Sequence, residues 1–335
     1  MNGYERYMRV LRAEPADILP RLPILMGYAA QHIGADYAAF ASDYRVLVEA
    51  NLRCAQEFGF DQVSAISDPY RETSAFGATL EYMAETPPHC LTTPLAEGKD
   101  LSRLERPDPW TSPRMLDRMQ ALEAYRGLVQ GEYSILGWIE GPAAEAADLR
   151  GTSNFMMDLV DDPPFCRELM RRCADVGLEF ALAQVRAGAD TIGIGDAIVS
   201  QVSASMYETL IFPEEKRLVD GIHAAGGLVR LHICGNISHH LEQIAQLGAD
   251  IVDLDSMVDV VRARQVLGPG TTLVGNLDPV QAVLNASPVA IERDIRAVYE
   301  RVGNPYMVGA GCEIPIGTPA ANLRALCQPV PYRAS

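Results

Sequence analysis

The run His232-Ile233-Cys234 carries two metal-ligating side chains two residues apart. On a β-strand such residues point to the same side. An imidazole and a thiolate would therefore share one space, and Gly235 lets the chain turn directly afterwards. Cys312, flanked by Gly311, can bring a second thiolate from much later in the chain. Two sulfurs and one nitrogen make a zinc-type set. Three protein ligands leave a tetrahedral ion one open position, which suits catalysis better than a closed structural site. Spacing alone also permits a buried, hydrogen-bonded histidine beside two cysteines that act as small hydrophobes.

The remaining cysteines read as core. Cys166 and Cys173 lie seven apart and trace one helix face with Leu169, Met170, Gly177 and Phe180. Cys54 and Cys327 also fall in helical patterns, and His89-Cys90 sits in a Pro-rich stretch. His239 and His240 open a helix as solvated first-turn residues. Other machinery is missing from the sequence: no phosphate-binding G-x-x-x-x-G-K-[ST] loop, no H-E-x-x-H, no G-x-S-x-G. The two lysines, Lys99 and Lys216, lie away from strand ends, which disfavours Schiff-base chemistry. Gly193-Ile194-Gly195 is a lone G-x-G with little signal value.

The elements that must position these residues alternate. Short β-type runs are predicted at 22–26, 63–66, 133–139, 191–194, 228–234, 251–254, 272–274 and 306–308. Helical patterns fall at 43–58, 112–130, 164–187, 206–225, 238–247, 258–266 and 287–302. Alternating strands and helices imply a parallel sheet with right-handed crossovers, and eight units imply a closed (β/α)8 TIM barrel. The alternative is an open doubly wound sheet, but no G-x-G-x-x-G follows an early strand. The whole chain, 1–335, reads as a single barrel domain. A Thr-, Pro- and Gly-rich insertion at about 70–104 is predicted to form a hairpin or lid after the second strand. Asp68, Glu140, Asp196, Asn236, Asp255, Asn276 and Glu313 follow the strands, so they would ring the mouth where barrel active sites are built. Turn and cap formation explains the same residues equally well.

Composition sets outer limits. Hydrophobic residues make up 48% and charged residues 21% of the 335, an ordinary globular balance. Acidic residues outnumber basic ones 44 to 28, which disfavours nucleic acid as a partner. No apolar run approaches the ~20 residues of a membrane helix, and no signal peptide is evident at the start. With seven cysteines, a reducing cytoplasm is the expected location.

The motifs resemble the uroporphyrinogen decarboxylase superfamily along nearly the whole length. The most specific are Leu231-His232-Ile233-Cys234-Gly235-Asn236, Gly275-Asn276-Leu277-Asp278-Pro279 and Gly311-Cys312-Glu313-Ile314-Pro315. Supporting matches are Glu5-Arg6-Tyr7-Met8, Phe58-Gly59-Phe60-Asp61 and Ser67-Asp68. The resemblance implies one of two branches. Decarboxylases bind a tetrapyrrole with arginines after the first strand and carry a histidine after the glycine of the last-strand motif. Here that first loop reads Met26-Gly27-Tyr28-Ala29-Ala30-Gln31-His32, without arginine, and the last-strand motif has Cys312. The other branch holds zinc methyltransferases that work with corrinoid proteins through an H-x-C…C ligand set.

The resemblance therefore implies Zn²⁺ on His232, Cys234 and Cys312. It also implies methyl transfer between a small methylated compound or thiol and the cobalt of a corrinoid (cobalamin) on a separate protein, since this chain has no D-x-H-x-x-G segment. Within that reading, Asp196, Asp255 and Glu313 would orient His232, supply a displaceable fourth ligand or handle a proton. Asp68, Tyr70, Arg71 and Asn276 would line the substrate pocket. Coenzyme M-type thiols, aryl methyl ethers (O-demethylase activity) and tetrahydrofolate-linked steps all remain open, as does a homodimer. Two alternatives stand beside this: a divergent metal-free decarboxylase acting on a tetrapyrrole, and a non-catalytic barrel that binds a corrinoid or porphyrin.

Overall fold

A computed structural model describes residues 1–333. Seven parallel strands form one curled sheet: β1 (Gln62–Ser64), β4 (Ser134–Glu140), β5 (Thr191–Gly195), β6 (Leu228–His232), β7 (Ile251–Leu254), β8 (Thr272–Gly275) and β9 (Tyr306–Met307), paired in that order. The insertion after β1 contributes an antiparallel hairpin of β2 (Thr79–Glu81) and β3 (His89–Thr92). Every predicted helical segment contains a helix, the longest spanning Pro163–Ala187. Among the described residues no helix is long and apolar enough to cross a membrane.

The first predicted strand, at 22–26, is not a regular strand. Pro20 precedes it and Pro23 lies within it; neither donates an N–H, so a continuous ladder cannot form. What remains still closes the sheet. The Leu22 N–H donates to the Val308 carbonyl, and the Val308 N–H donates to that of Pro20. On the other side the Asp61 N–H donates to Arg21. This seam occupies the eighth position between β9 and β1.

The helices Pro142–Arg150 and Thr152–Asp161 were not signalled by periodicity. The first is alanine-rich and mostly buried, so it shows no single apolar stripe. The N-terminal helix Gly3–Leu11 packs Tyr7 and Val10 against Leu22, Ile251, Val274 and Met307. The Tyr7 hydroxyl meets the Thr191 hydroxyl at 2.6 Å, at the start of β5. The N-terminal end of the sheet is thereby plugged, and the ends carrying His232 and Cys312 face the opposite mouth.

Candidate metal centre

β6 ends at His232, two residues before its predicted end, and Gly235 turns with φ +94°. The strand still aims the imidazole inward. His232 Nε2 lies 3.2 Å from Cys234 Sγ, Cys234 Sγ lies 3.3 Å from Cys312 Sγ, and Cys312 Sγ lies 3.7 Å from His232 Nε2. These three form the one cluster of metal-ligand type among the described residues. Tetrahedral zinc with ordinary bond lengths needs about 3.8 Å between sulfurs and about 3.6 Å between sulfur and nitrogen. Two of the three separations reach those values by opening about half an ångström or less, and the third is already there. The donor set and its spacing therefore fit a zinc ion.

The other imidazole nitrogen is also held. His232 Nδ1 lies 2.8 Å from Asp253 Oδ2, because the register of β6 and β7 pairs these two residues directly. Asp253 accepts in turn from Arg230 Nε at 2.9 and 3.0 Å, and Arg230 Nη1 donates to Gln62 Oε1 across the barrel. All four are buried. Fixing Nδ1–H on a carboxylate turns the lone pair of Nε2 toward the sulfurs, the usual support for a histidine ligand. Sequence reasoning missed Asp253 and Arg230. The available signal was a charged residue inside each apolar strand, at positions that share one face with His232 or its neighbour.

Burial disfavours an imidazolium, but the hydrogen bonds that Asp253 and Cys312 accept from it outweigh that and lift His232 to about 10. The two thiols act as a pair. The hydrogen bond between them, helped by His232, draws the Cys312 proton off, while that same bond and burial hold the proton on Cys234. A metal ion would displace both remaining protons, so uptake would release them to solvent.

The other candidates are placed as follows. Asp196 is fully buried, and its carboxylate accepts from the Ala143 and Ala144 N–H groups at 3.0 and 2.8 Å. It thus caps the helix Pro142–Arg150, whose own N-cap is Gly141. Asp255 accepts from the Gly235 N–H at 2.9 Å and so holds the turn beyond Cys234. Glu313 accepts from the Gly27 N–H at 3.0 Å, and burial raises it to about 7. The carboxylate on His232 is thus Asp253 rather than any of these three.

Asn276 donates to the carbonyls of Asp255 and Val258, bracing the same loop. Asp68 receives two bonds from Arg114, at 2.7 and 2.6 Å; burial opposes its ionisation, but Arg114 and Arg71 hold it well below the usual carboxylate range. Arg71 is fully buried and donates to Glu140 at 2.7 Å. The Tyr70 backbone N–H donates to Asp68 at 3.0 Å, and burial pushes the Tyr70 phenol up to about 12.

A cleft of about 190 Å³ opens onto His232, Cys234 and Cys312. Asp68, Glu140, Asp196 and Glu313 line it, whereas Tyr70, Arg71 and Asn276 do not. Ile24, Ile66, Leu136 and Trp138, with Met26 against them, form a small apolar cluster of their own beneath it. The Trp138 indole N–H donates to Glu140 at 3.2 Å. Trp138 was not anticipated as a site residue. Its room comes from Gly193 and Gly195: a Cβ on Gly193 would stand 2.2 Å from the indole, and one on Gly195 2.9 Å. The G-x-G of β5 is thus a seat for the ring.

Comparison with known proteins agrees with this architecture. The family "Uroporphyrinogen decarboxylase (URO-D)" matches residues 2–331. A relative named "Methylcobamide:CoM methyltransferase MtbA", from Methanosarcina mazei, is 26% identical over 97% of this chain and 96% of its own length. A "Uroporphyrinogen decarboxylase" from a Synechococcus strain is 27% identical over 94% of both. Among solved structures, a "methyltransferase from Methanosarcina mazei" superposes with a TM-score of 0.89 at 21% identity, covering 97% of each chain. A B12-independent methionine synthase from Shewanella shares the fold more distantly, with a TM-score of 0.57 at 14% identity over 93% of this chain and 94% of the other. Because the match runs from the N-terminal plug through the last strand and past Cys312, the chain belongs to the uroporphyrinogen decarboxylase family.

Proposed function

We propose that this protein is a zinc-dependent methyltransferase that moves a methyl group between a small molecule and the cobalt of a corrinoid carried by a separate protein. The observation that carries the reading is the convergence of His232 Nε2, Cys234 Sγ and Cys312 Sγ at the mouth, with Asp253 on the far side of the imidazole. The full-length match to a methylcobamide methyltransferase supports it. The decarboxylase alternative is disfavoured by the cleft. At about 190 Å³ it is smaller than the roughly 300–1,000 Å³ that drug-sized ligands occupy. Among the described residues no arginine or lysine lines it to meet a tetrapyrrole's carboxylates.

His232, Cys234 and Cys312 would hold the zinc, which when bound supplies Lewis acidity to a thiol or to the leaving heteroatom of a methyl donor. Asp253 keeps the proton on His232 Nδ1, so that Nε2 is free to ligate. Trp138, Ile24, Met26 and Ile66 exclude water and seat the small molecule. When a thiol accepts, the carbon–cobalt bond breaks with its electron pair left on cobalt, a carbon–sulfur bond forms, and the thiol proton passes to solvent. Glu313, which lines the cleft, would relay that proton outward. The hairpin β2–β3 would act as a lid. All seven cysteines are free of disulfides, which supports a reducing, cytoplasmic setting.

The test is metal content. Protein purified without chelator or added metal should carry about one zinc per chain by plasma mass spectrometry, and the Cys234→Ser/Cys312→Ser double variant almost none. Wild-type protein that takes up no zinc on titration would overturn the reading.

A further inference from the structure

We propose that the small molecule which exchanges the methyl group at this cleft is uncharged, because the wall combines an apolar cluster with carboxylates that are each already engaged. The inference rests on the methyltransferase reading and goes beyond it to the substrate class.

No arginine or lysine lines the cleft among the described residues. The four carboxylates that do are Asp68, Glu140, Asp196 and Glu313. Asp68 is bound twice by Arg114, Glu140 by Arg71 and the Trp138 indole, Asp196 by two helix N–H groups, and Glu313 by the Gly27 N–H. Away from the three ligand side chains, an anionic group entering here meets acids and apolar carbon, and an unpaired charge in such a place is disfavoured. Arg71 and Arg114 pair with Glu140 and Asp68 and do not line the cleft. Arg71 Nε and Nη1 have no hydrogen-bond partner, yet Nε lies 3.6 Å from Glu72 Oε2 and Arg71 is not part of the wall. A cation would find Asp68 and Glu140 already neutralised by Arg114 and Arg71, and Asp196 and Glu313 already accepting backbone N–H groups. What the cleft offers freely is the surface of Ile24, Met26, Ile66, Pro69 and Trp138, which suits an uncharged methyl ether, thioether or thiol. A sulfonate-bearing thiol of the coenzyme M type does not fit this wall.

Three thiols of similar size separate the cases: 2-mercaptoethanol, 2-mercaptoethanesulfonate and 2-aminoethanethiol. Binding to the zinc-loaded protein is read from quenching of Trp138 in a Trp110→Phe background, since Trp110 and Trp138 are the only tryptophans and Trp110 is exposed. Turnover is read as S-methyl product from methylcobalamin. The neutral thiol is expected to bind and to react at least about tenfold better than either charged one. A Met26→Arg variant, which puts a cation on the wall, should shift the order toward the sulfonate. If the sulfonate or ammonium thiol equals or exceeds the neutral one, the inference is overturned and methyl transfer stands. If the three bind in the expected order but none is methylated, the charge preference is supported and the proposed function fails.

Discussion

Replacing Asp253 with Asn tests the central claim about how the imidazole is held. The amide keeps the shape and can still accept from Nδ1–H, but it removes the charge that His232 and Arg230 share at 2.8 to 3.0 Å. Loss of a carboxylate behind a histidine ligand typically lowers metal affinity 10- to 100-fold, or about 1.4–2.7 kcal/mol. A second effect falls on the fold. Arg230 is 2% exposed and would lose its counter-ion, a change that costs about 3–5 kcal/mol when nothing compensates. Here Gln62 Oε1 remains on Nη1, so the lower end, about 3 kcal/mol, is expected. Zinc affinity would be measured by competition with a chromophoric chelator, and stability by urea unfolding of the metal-free protein. Asp255→Asn is the comparison, because Asp255 touches the Gly235 N–H and not the imidazole. Wild-type zinc affinity in folded Asp253→Asn, or a larger loss in Asp255→Asn, would refute the assignment.

Other outcomes follow from the same packing and charge arrangement. Gly193→Ala should destabilise by about 1–3 kcal/mol through overpacking, because its Cβ would meet the Trp138 ring at 2.2 Å; urea unfolding and a shifted tryptophan emission would show it. Asp196→Ala should cost about 1–2 kcal/mol by uncapping the Pro142–Arg150 helix, and a loss of only a few tenths would argue against the cap. Burial, with Glu72 close by, raises Asp148 to about 7. A carboxyl raised in the folded state favours folding below its unfolded value near 4, and that contribution is lost as pH rises through 7. Asp148→Asn should therefore be more stable than wild type at pH 8, with the advantage gone at pH 4, as thermal melts at the two pH values would reveal.

Much of the scaffold was legible because its signals are local. Strand runs such as Ile251–Leu254 end where apolar character gives way to Asp and Ser, and helices such as Pro288–Val302 carry a Ser cap, Pro at N1 and a clear apolar stripe. The first strand misled because residues 22–26 are apolar enough for a strand while Pro20 and Pro23 withhold its hydrogen bonds. The H-x-C spacing was informative for the same local reason, since strand alternation alone brings those two side chains together. What supports them is not local. Asp253 reaches His232 through interstrand register, and Asp196 caps a helix that begins 54 residues earlier in sequence, at Pro142, through the adjacency of β4 and β5. Asp255 carried the better-looking motif position, yet it lies past the end of the β7 ladder and turns to the backbone. Trp138 was invisible as a site residue because its seat is two glycines on a neighbouring strand.

Arg230 touches more than the residue it supports. It donates to Gln62 at the start of β1 and reaches the Leu22 carbonyl on the seam at 3.4 Å, while its other edge holds Asp253. One guanidinium therefore ties the joint where the beginning of the chain meets its end to the orientation of the His232 ring. Binding linkage makes such a connection work in both directions. A metal ion at the mouth would tighten the barrel's closure some distance below it, and loosening the seam would be felt as weaker metal retention. Gln62, which touches neither the imidazole nor either thiol, becomes a remote control on the site. Proteolysis or hydrogen exchange across residues 20–24 becomes a gauge of whether the centre is filled.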